Sequence, residues 1–322
     1  MLLIAVDEAG YGPKLGPLVI AATAWQMPDR LNGSLSDCFE PLRTVSKYGA
    51  LNLVIDDSKK IFQSKGRRSL QSLAAIAKLC SIWCGCDFDT VGQWLRVIAA
   101  DDYQTIIQTD WFRSLEQQSL DERSSPDMRS TASDVIATWR SSGAVLREVN
   151  TRILTASVFN RVIRKGQNKS DLLSDVSLQL IASVAAQYPN EKKIEVFCDR
   201  HGGRRYYGAA LQHQFATSLL RVISETKQKS EYDLASDSQS IRIRFTVKGD
   251  SFTPVALSSL HAKYLRELCM GALNHYFQEH AMPGATIKPT AGYPVDAERF
   301  LSDVADIIKQ EKIDRQALVR CR

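Results

Sequence analysis

The chain has 322 residues, 44% of them hydrophobic, and carries 41 Lys and Arg against 36 Asp and Glu, a net charge of +5. That composition excludes a disordered chain and supports a substantial buried core, while the small positive excess permits a nucleic-acid partner without requiring one. The chain has no run of eighteen apolar residues, and the opening Met1-Leu-Leu-Ile-Ala-Val6 is too short for a signal-peptide core, so a cytoplasmic protein without a membrane partner is expected.

In chain order, residues 1–6 read as a strand that ends in two adjacent carboxylates, Asp7 and Glu8, followed by the glycine-punctuated turn 9–17. Two acids side by side at a strand end, with the backbone held tight around them, suggest a metal site. Residues 18–25 read as a second strand, paired antiparallel to the first. Asp56-Asp57-Ser58-Lys59-Lys60 then offers hydroxyl and ammonium groups of the kind that hold phosphates. Apolar residues at helical spacing predict a helix over 69–83. Its Cys80, with Cys84 and Cys86, belongs to an odd set of seven cysteines without a matching metal-binding pair, so free thiols are expected. Residues 87–143 turn polar around Trp94, Trp111 and Trp139, with a breaker at Ser124-Ser-Pro126. They read as a helical insertion with helices over 90–98 and 133–139.

A helix is predicted over 172–187, then a strand over 193–198 that ends in Asp199. The following Arg200-His-Gly-Gly-Arg-Arg-Tyr-Tyr207 is a glycine bend loaded with cations and aromatics, which suits backbone contact and stacking on bases or sugars. Residues 241–247 alternate as a strand, and Lys248-Gly-Asp250 leads to a long helix over 254–277. On it Ser259, Lys263, Arg266 and Glu267 share neighbouring positions, so one face can carry phosphate contacts and an acid. His261 reads as a structural histidine, and neither it nor His201 is expected as a required base. Residues 278–322 read as a C-terminal helical extension of a single 1–322 unit. Strands alternating with helices, with acids at strand ends, predict an α/β sheet whose site lies at the strand tips.

Taken in order, these segments resemble the type 2 ribonuclease H family, ribonucleases HII and HIII. The resemblance rests on a D-E-A-G-x-G-P-x-x-G-P opening at Asp7–Pro17, D-S-K-K at Asp57–Lys60, a strand-end Asp199, K-G-D at Lys248–Asp250 leading to S-S-x-x-A-K-x-x-R-[DE] at Ser258–Glu267, and a late Gly292-Tyr293. It covers roughly residues 1–25, 52–80, 150–200 and 245–305, and leaves out the 87–143 insertion and the His-Gly-Gly-Arg-Arg loop.

The resemblance implies a ribonuclease H-like mixed sheet flanked by helices. It also implies Mg²⁺ or Mn²⁺ held by the catalytic, metal-binding acids Asp7, Glu8, Asp199 and Glu267, for two-metal hydrolysis of the RNA strand of an RNA–DNA hybrid or chimeric duplex, leaving a 3′-hydroxyl and a 5′-phosphate. Four acids brought together without cations would repel one another, whereas acids lying apart on the surface would defeat this reading. Nucleic-acid contacts are expected from Gly10, Tyr11, Gly12, Ser58, Lys59, Lys263, Arg266 and Tyr293, and the cationic loop adds Arg204. Glu267 matches the HIII branch, whereas the HII branch has Asp there. Tyr11 stands where the HII branch has Arg in its G-R-G motif, beside the backbone that reads the ribose 2′-hydroxyl, so the cationic contact of that branch is missing. The alternatives are a metal-dependent nuclease on structured DNA and a non-catalytic hybrid-binding protein of the same fold.

Overall fold

The computed structural model describes residues 1–30, 33–56, 67–120 and 126–321. Ser58 and Lys59 lie outside them. β1 (Leu2–Ala9) and β2 (Leu18–Gln26) pair antiparallel as expected, with Ala9 opposite Val19, so the glycine turn closes a hairpin. β3 (Ser46–Tyr48) and β4 (Leu51–Leu53) form a separate small hairpin. β5 (Val145–Leu154) pairs antiparallel with β2, and β6 (Lys193–Asp199) lies parallel to β1 on its other side. β7 (Leu219–Glu225), β8 (Lys229–Ala235) and β9 (Ser240–Thr246) form an antiparallel meander joined to the sheet by the parallel β6–β9 pair. The result is a seven-stranded mixed sheet of order β5-β2-β1-β6-β9-β8-β7, flanked by helices.

β1 is apolar without alternation because both of its faces are covered. Leu3 and Ala5, with Val19, Ala21 and Trp25, join the core under the 27-residue helix Thr253–Glu279. Leu2, Ile4 and Val6, with Leu18 and Ile20, face the helix Lys169–Ala186. The long helix is also pinned by buried polar contacts. Trp25 Nε1 donates to Thr23 Oγ1 at 3.0 Å, Thr23 Oγ1 lies 3.0 Å from Ser258 Oγ, and Ser258 donates to the Ala5 carbonyl at 2.8 Å. A fully buried chain of this kind fixes the helix register against β1 two residues before Asp7.

The predicted helices occur at Arg67–Trp83, Val91–Ile98 and Pro126–Trp139. Thr90 caps the second of these, and Pro126, read as a breaker, opens the third, where its missing N–H costs nothing. Trp94, Trp111 and Trp139 join the core under the long helix, Trp94 lying 5.7 Å from the Tyr264 ring, and Tyr264 Oη donates to the Leu120 carbonyl at 2.9 Å. All seven cysteines are free, and among the described residues no helix is long and apolar enough to cross a membrane.

Candidate active site

The parallel register of β1 and β6, Val6 beside Cys198, puts Asp7 and Asp199 at adjoining strand tips. Asp7 is only 7% exposed and accepts the Glu8 backbone N–H at 2.7 Å. Burial holds the Asp7 carboxyl well above the usual carboxylate range, and the charges of Glu8 and Asp199 push it the same way against a hydrogen bond from Ser259. Glu8 is pushed up to about 8 by burial and by Asp199. Three carboxyls thus crowd one place, and burial with their mutual repulsion raises the proton affinity of Asp7 and Glu8, protons that a cation could replace. On the Asp199 side, the Gly249 N–H donates to Asp199 Oδ1 at 2.7 Å. That approach requires glycine, since a Cβ at position 249 would sit 2.9 Å from both Asp199 Cα and the Cys198 carbonyl oxygen.

Ser259, one residue beyond the Ser258 anchor, reaches Asp7, and further along the same helix Lys263 is half-buried. Glu267 lies 3.5 Å from Arg266 Nη1 with a third of its side chain exposed. Among the described residues, no group of three or more His, Cys, Asp or Glu side chains is arranged to hold a metal ion. The donors nevertheless suit one chemically. Asp7, Glu8 and Asp199 offer hard oxygen atoms of the type Mg²⁺ and Mn²⁺ take, and burial and mutual repulsion raise the proton affinity of Asp7 and Glu8.

The glycine turn is held from two sides. Gly10 adopts φ +86°, and a Cβ there would lie 2.6 Å from the Pro17 carbonyl oxygen and 2.9 Å from Arg266 Cδ. Arg266, expected on a nucleic-acid backbone, is 5% exposed. It donates to the Ala291 carbonyl at 2.7 Å, and its guanidinium lies 5.9 Å from the ring of Tyr293, which is 56% exposed. Lys14 and Leu15 donate their N–H groups to the Gly292 carbonyl at 2.7 and 3.2 Å. From the C-terminal segment, Arg320 Nη2 donates to the carbonyls of Gly10, at 2.6 Å, and Pro13, while the Arg320 N–H reaches the Lys14 carbonyl at 2.9 Å. These contacts give the C-terminal segment a bracing role at the turn. Arg320 is 2% exposed, and burial together with neighbouring Arg266 pushes its pKa down to about 9. Sequence reasoning missed it, because a lone arginine near a chain end carries no pattern.

Gly12 is exposed, with open space where a side chain would be. Tyr11 is half-buried, and burial and the Glu8 charge raise its hydroxyl pKa. Its ring faces Gly202, where an added Cβ would lie 3.6 Å from Tyr11 Cε1. Arg204 donates to Asp171 at 2.7 Å and to the Tyr206 carbonyl at 3.0 Å, which ties it into the loop. His201 and His261 are each 2% exposed. Burial and Arg204 lower His201 to about 3, and burial lowers His261 to about 4 against a hydrogen bond to Leu257. Burial thus keeps both rings neutral near pH 7. A cavity of about 420 Å³ flanks β5, lined among others by Cys84, Trp94, Glu148 and Arg152, and none of the four acids borders it.

No protein-family model matches the chain, and no curated protein matches it by sequence. Among solved structures, the chain is similar to ribonuclease HII of Archaeoglobus fulgidus, solved in complex with PCNA, at 13% identity over 100% of this chain and 95% of that one, with a TM-score of 0.42. It is similar to ribonuclease H2 of Pyrococcus horikoshii at 14% identity, covering 99% and 92% of the two chains, with a TM-score of 0.40. It is also similar to Bst-RNase HIII in complex with Mn²⁺, at 13% identity over 99% of this chain and 66% of that one, with a TM-score of 0.42.

Proposed function

We propose that this chain is a metal-dependent endonuclease that hydrolyses the RNA strand of RNA–DNA hybrids. The observation that carries the reading is the crowding of Asp7, Glu8 and Asp199 from two neighbouring strands, where burial first and the neighbouring carboxylates second raise the proton affinity of Asp7 and Glu8. Two cations, Mg²⁺ or Mn²⁺, held by Asp7, Glu8, Asp199 and Glu267, would supply an activated water and neutralise charge at the leaving oxygen. The chain's own part is positional. Ser259 orients Asp7, and the Gly249 amide fixes Asp199. The backbone at Gly10, Tyr11 and Gly12 lies beside the acids, where it can read a ribose 2′-hydroxyl. Lys263, with Ser58 and Lys59, would meet phosphates, and exposed Tyr293, steadied by Arg266, would pack against a sugar.

One observation favours a second reading, a nuclease on structured DNA. Tyr11 brings a hydroxyl near Glu8 where the HII motif has a cation, which weakens the case for 2′-hydroxyl recognition. Incubating purified protein with Mg²⁺ or Mn²⁺ and a hybrid, a chimeric duplex and a DNA duplex decides between them. Cleavage of the hybrid, abolished by Asp7→Asn, is the expected result. Cleavage of DNA alone selects the second reading, and absence of any metal-dependent cleavage defeats both.

A further inference from the structure

The loop after Asp199 uses its arginines to hold itself in place. Arg200 donates to the carbonyls of Lys227, at 2.6 Å, and Thr226, at 3.1 Å. Arg204 ties Asp171 to the Tyr206 carbonyl, and Arg205 Nε donates to the Glu225 carbonyl at 3.0 Å. Ser230 donates to the Arg205 carbonyl at 2.6 Å, and the Tyr207 N–H donates to Tyr232 Oη at 2.9 Å. Tyr207 itself stacks on Phe245 with ring centroids 3.6 Å apart. The backbone is therefore fixed on both sides of Tyr206, yet Tyr206 is 61% exposed, with the Arg205 guanidinium 5.3 Å from its ring centroid. Tyr206 thus presents its ring to water on a loop tied at Arg200, Arg204, Arg205 and Tyr207.

We infer that Tyr206, with Arg205 beside it, is a stacking platform for an unpaired nucleobase at the end of the sheet that carries the acid site. The placement follows from the loop. It begins at Asp199 on β6, passes Gly202 opposite the Tyr11 ring, and is tied at Arg205 to Glu225 of β7 and Ser230 of β8, so Tyr206 stands at the same end of the sheet as the acids, toward its β8–β7 edge. An aromatic face with an adjacent guanidinium matches a base and its phosphate, and it tolerates any sequence because every base has a π-face. Inside a duplex both faces of a base are already stacked. The ligand class is thus a base at a frayed end, an overhang or a junction. The inference rests on the nuclease reading for its context but not for its measurement.

The test is binding without divalent metal, in EDTA, to a DNA–RNA duplex bearing 2-aminopurine either in a short single-stranded overhang or at a paired internal position. Wild-type protein is expected to quench the overhang fluorophore and leave the internal one unchanged. Tyr206→Ala should weaken overhang binding about 5- to 100-fold, and Tyr206→Trp should restore it. Unchanged affinity in Tyr206→Ala, equal quenching at both positions, or no binding of the overhang duplex by wild type overturns the inference. A protein that cleaves hybrids but binds equally well as Tyr206→Ala loses only this inference. One that stacks the overhang base yet never cleaves loses only the nuclease reading.

Discussion

Arg320 gives the sharpest test of how the turn beside Asp7 is held. In Arg320→Met the apolar stem stays, but the two hydrogen bonds from Nη2 to the Gly10 and Pro13 carbonyls are lost. Bonds from a charged donor contribute about 1.5 kcal/mol each at the low end, so the turn loses about 3 kcal/mol of local hold, roughly a hundredfold in its opening equilibrium. Global stability should change much less, because the variant also removes a buried guanidinium crowded by Arg266, whose cost shows in its lowered pKa. Amide hydrogen exchange separates the two effects. The Lys14 and Leu15 amides, bonded to Gly292, report the turn, and Ile4 in β1 reports the sheet. Exchange at Lys14 and Leu15 should quicken up to about a hundredfold with Ile4 unchanged. Unaltered exchange at Lys14 and Leu15 would refute the bracing role, and equal acceleration at Ile4 would show a merely global effect.

Gly249→Ala should destabilise the protein by about 1–3 kcal/mol and abolish metal-dependent cleavage, because the new methyl must push Asp199 off the strand tip; calorimetry and hybrid cleavage read the two effects. His201 and His261 titrate in the folded state near 3 and 4, below the unfolded value of 6.5, so the unfolded chain binds protons that the folded one refuses. Their contribution is complete above pH 6.5 and is lost as pH falls toward 4 and 3, about 2 kcal/mol per histidine by pH 5. Urea midpoints of His261→Phe should therefore vary less between pH 8 and pH 5 than those of wild type, and an unchanged difference would refute the assignment. In Tyr11→Arg, cleavage of a duplex carrying one embedded ribonucleotide should rise relative to a long hybrid, whereas equal ratios in both proteins would count against a role for Tyr11 in selectivity.

The strands around the acid site were legible because each is an apolar run with a punctuated end or, in β9, a clean alternation. β1, β2, β6 and β9 carry that signal, and the long helix carries its own period. β7 was not legible, because as an exposed edge strand it keeps Leu219 and Val222 in solvent and has no buried alternation to read. β5, at the opposite edge, interleaves Arg147, Glu148, Asn150 and Arg152 among its apolar residues and hides in the same way. The polar 87–143 stretch packs three tryptophans into the core of the long helix, which composition alone did not suggest. At the site, adjacency in sequence revealed Asp7 and Glu8, but the burial of Arg266, the bracing by Arg320 and the tying of Arg204 to Asp171 depend on partners far away in the chain.

Whether the tips of β1 and β6 form one cation site is measured most directly by calorimetric titration of Mn²⁺ into wild type, Asp7→Asn and Asp199→Asn. Wild type should bind Mn²⁺, more tightly at pH 8 than at pH 6 because protons on Asp7 and Glu8 must leave, and either substitution should remove that binding. Full binding by Asp199→Asn, or none by wild type at either pH, would contradict the account.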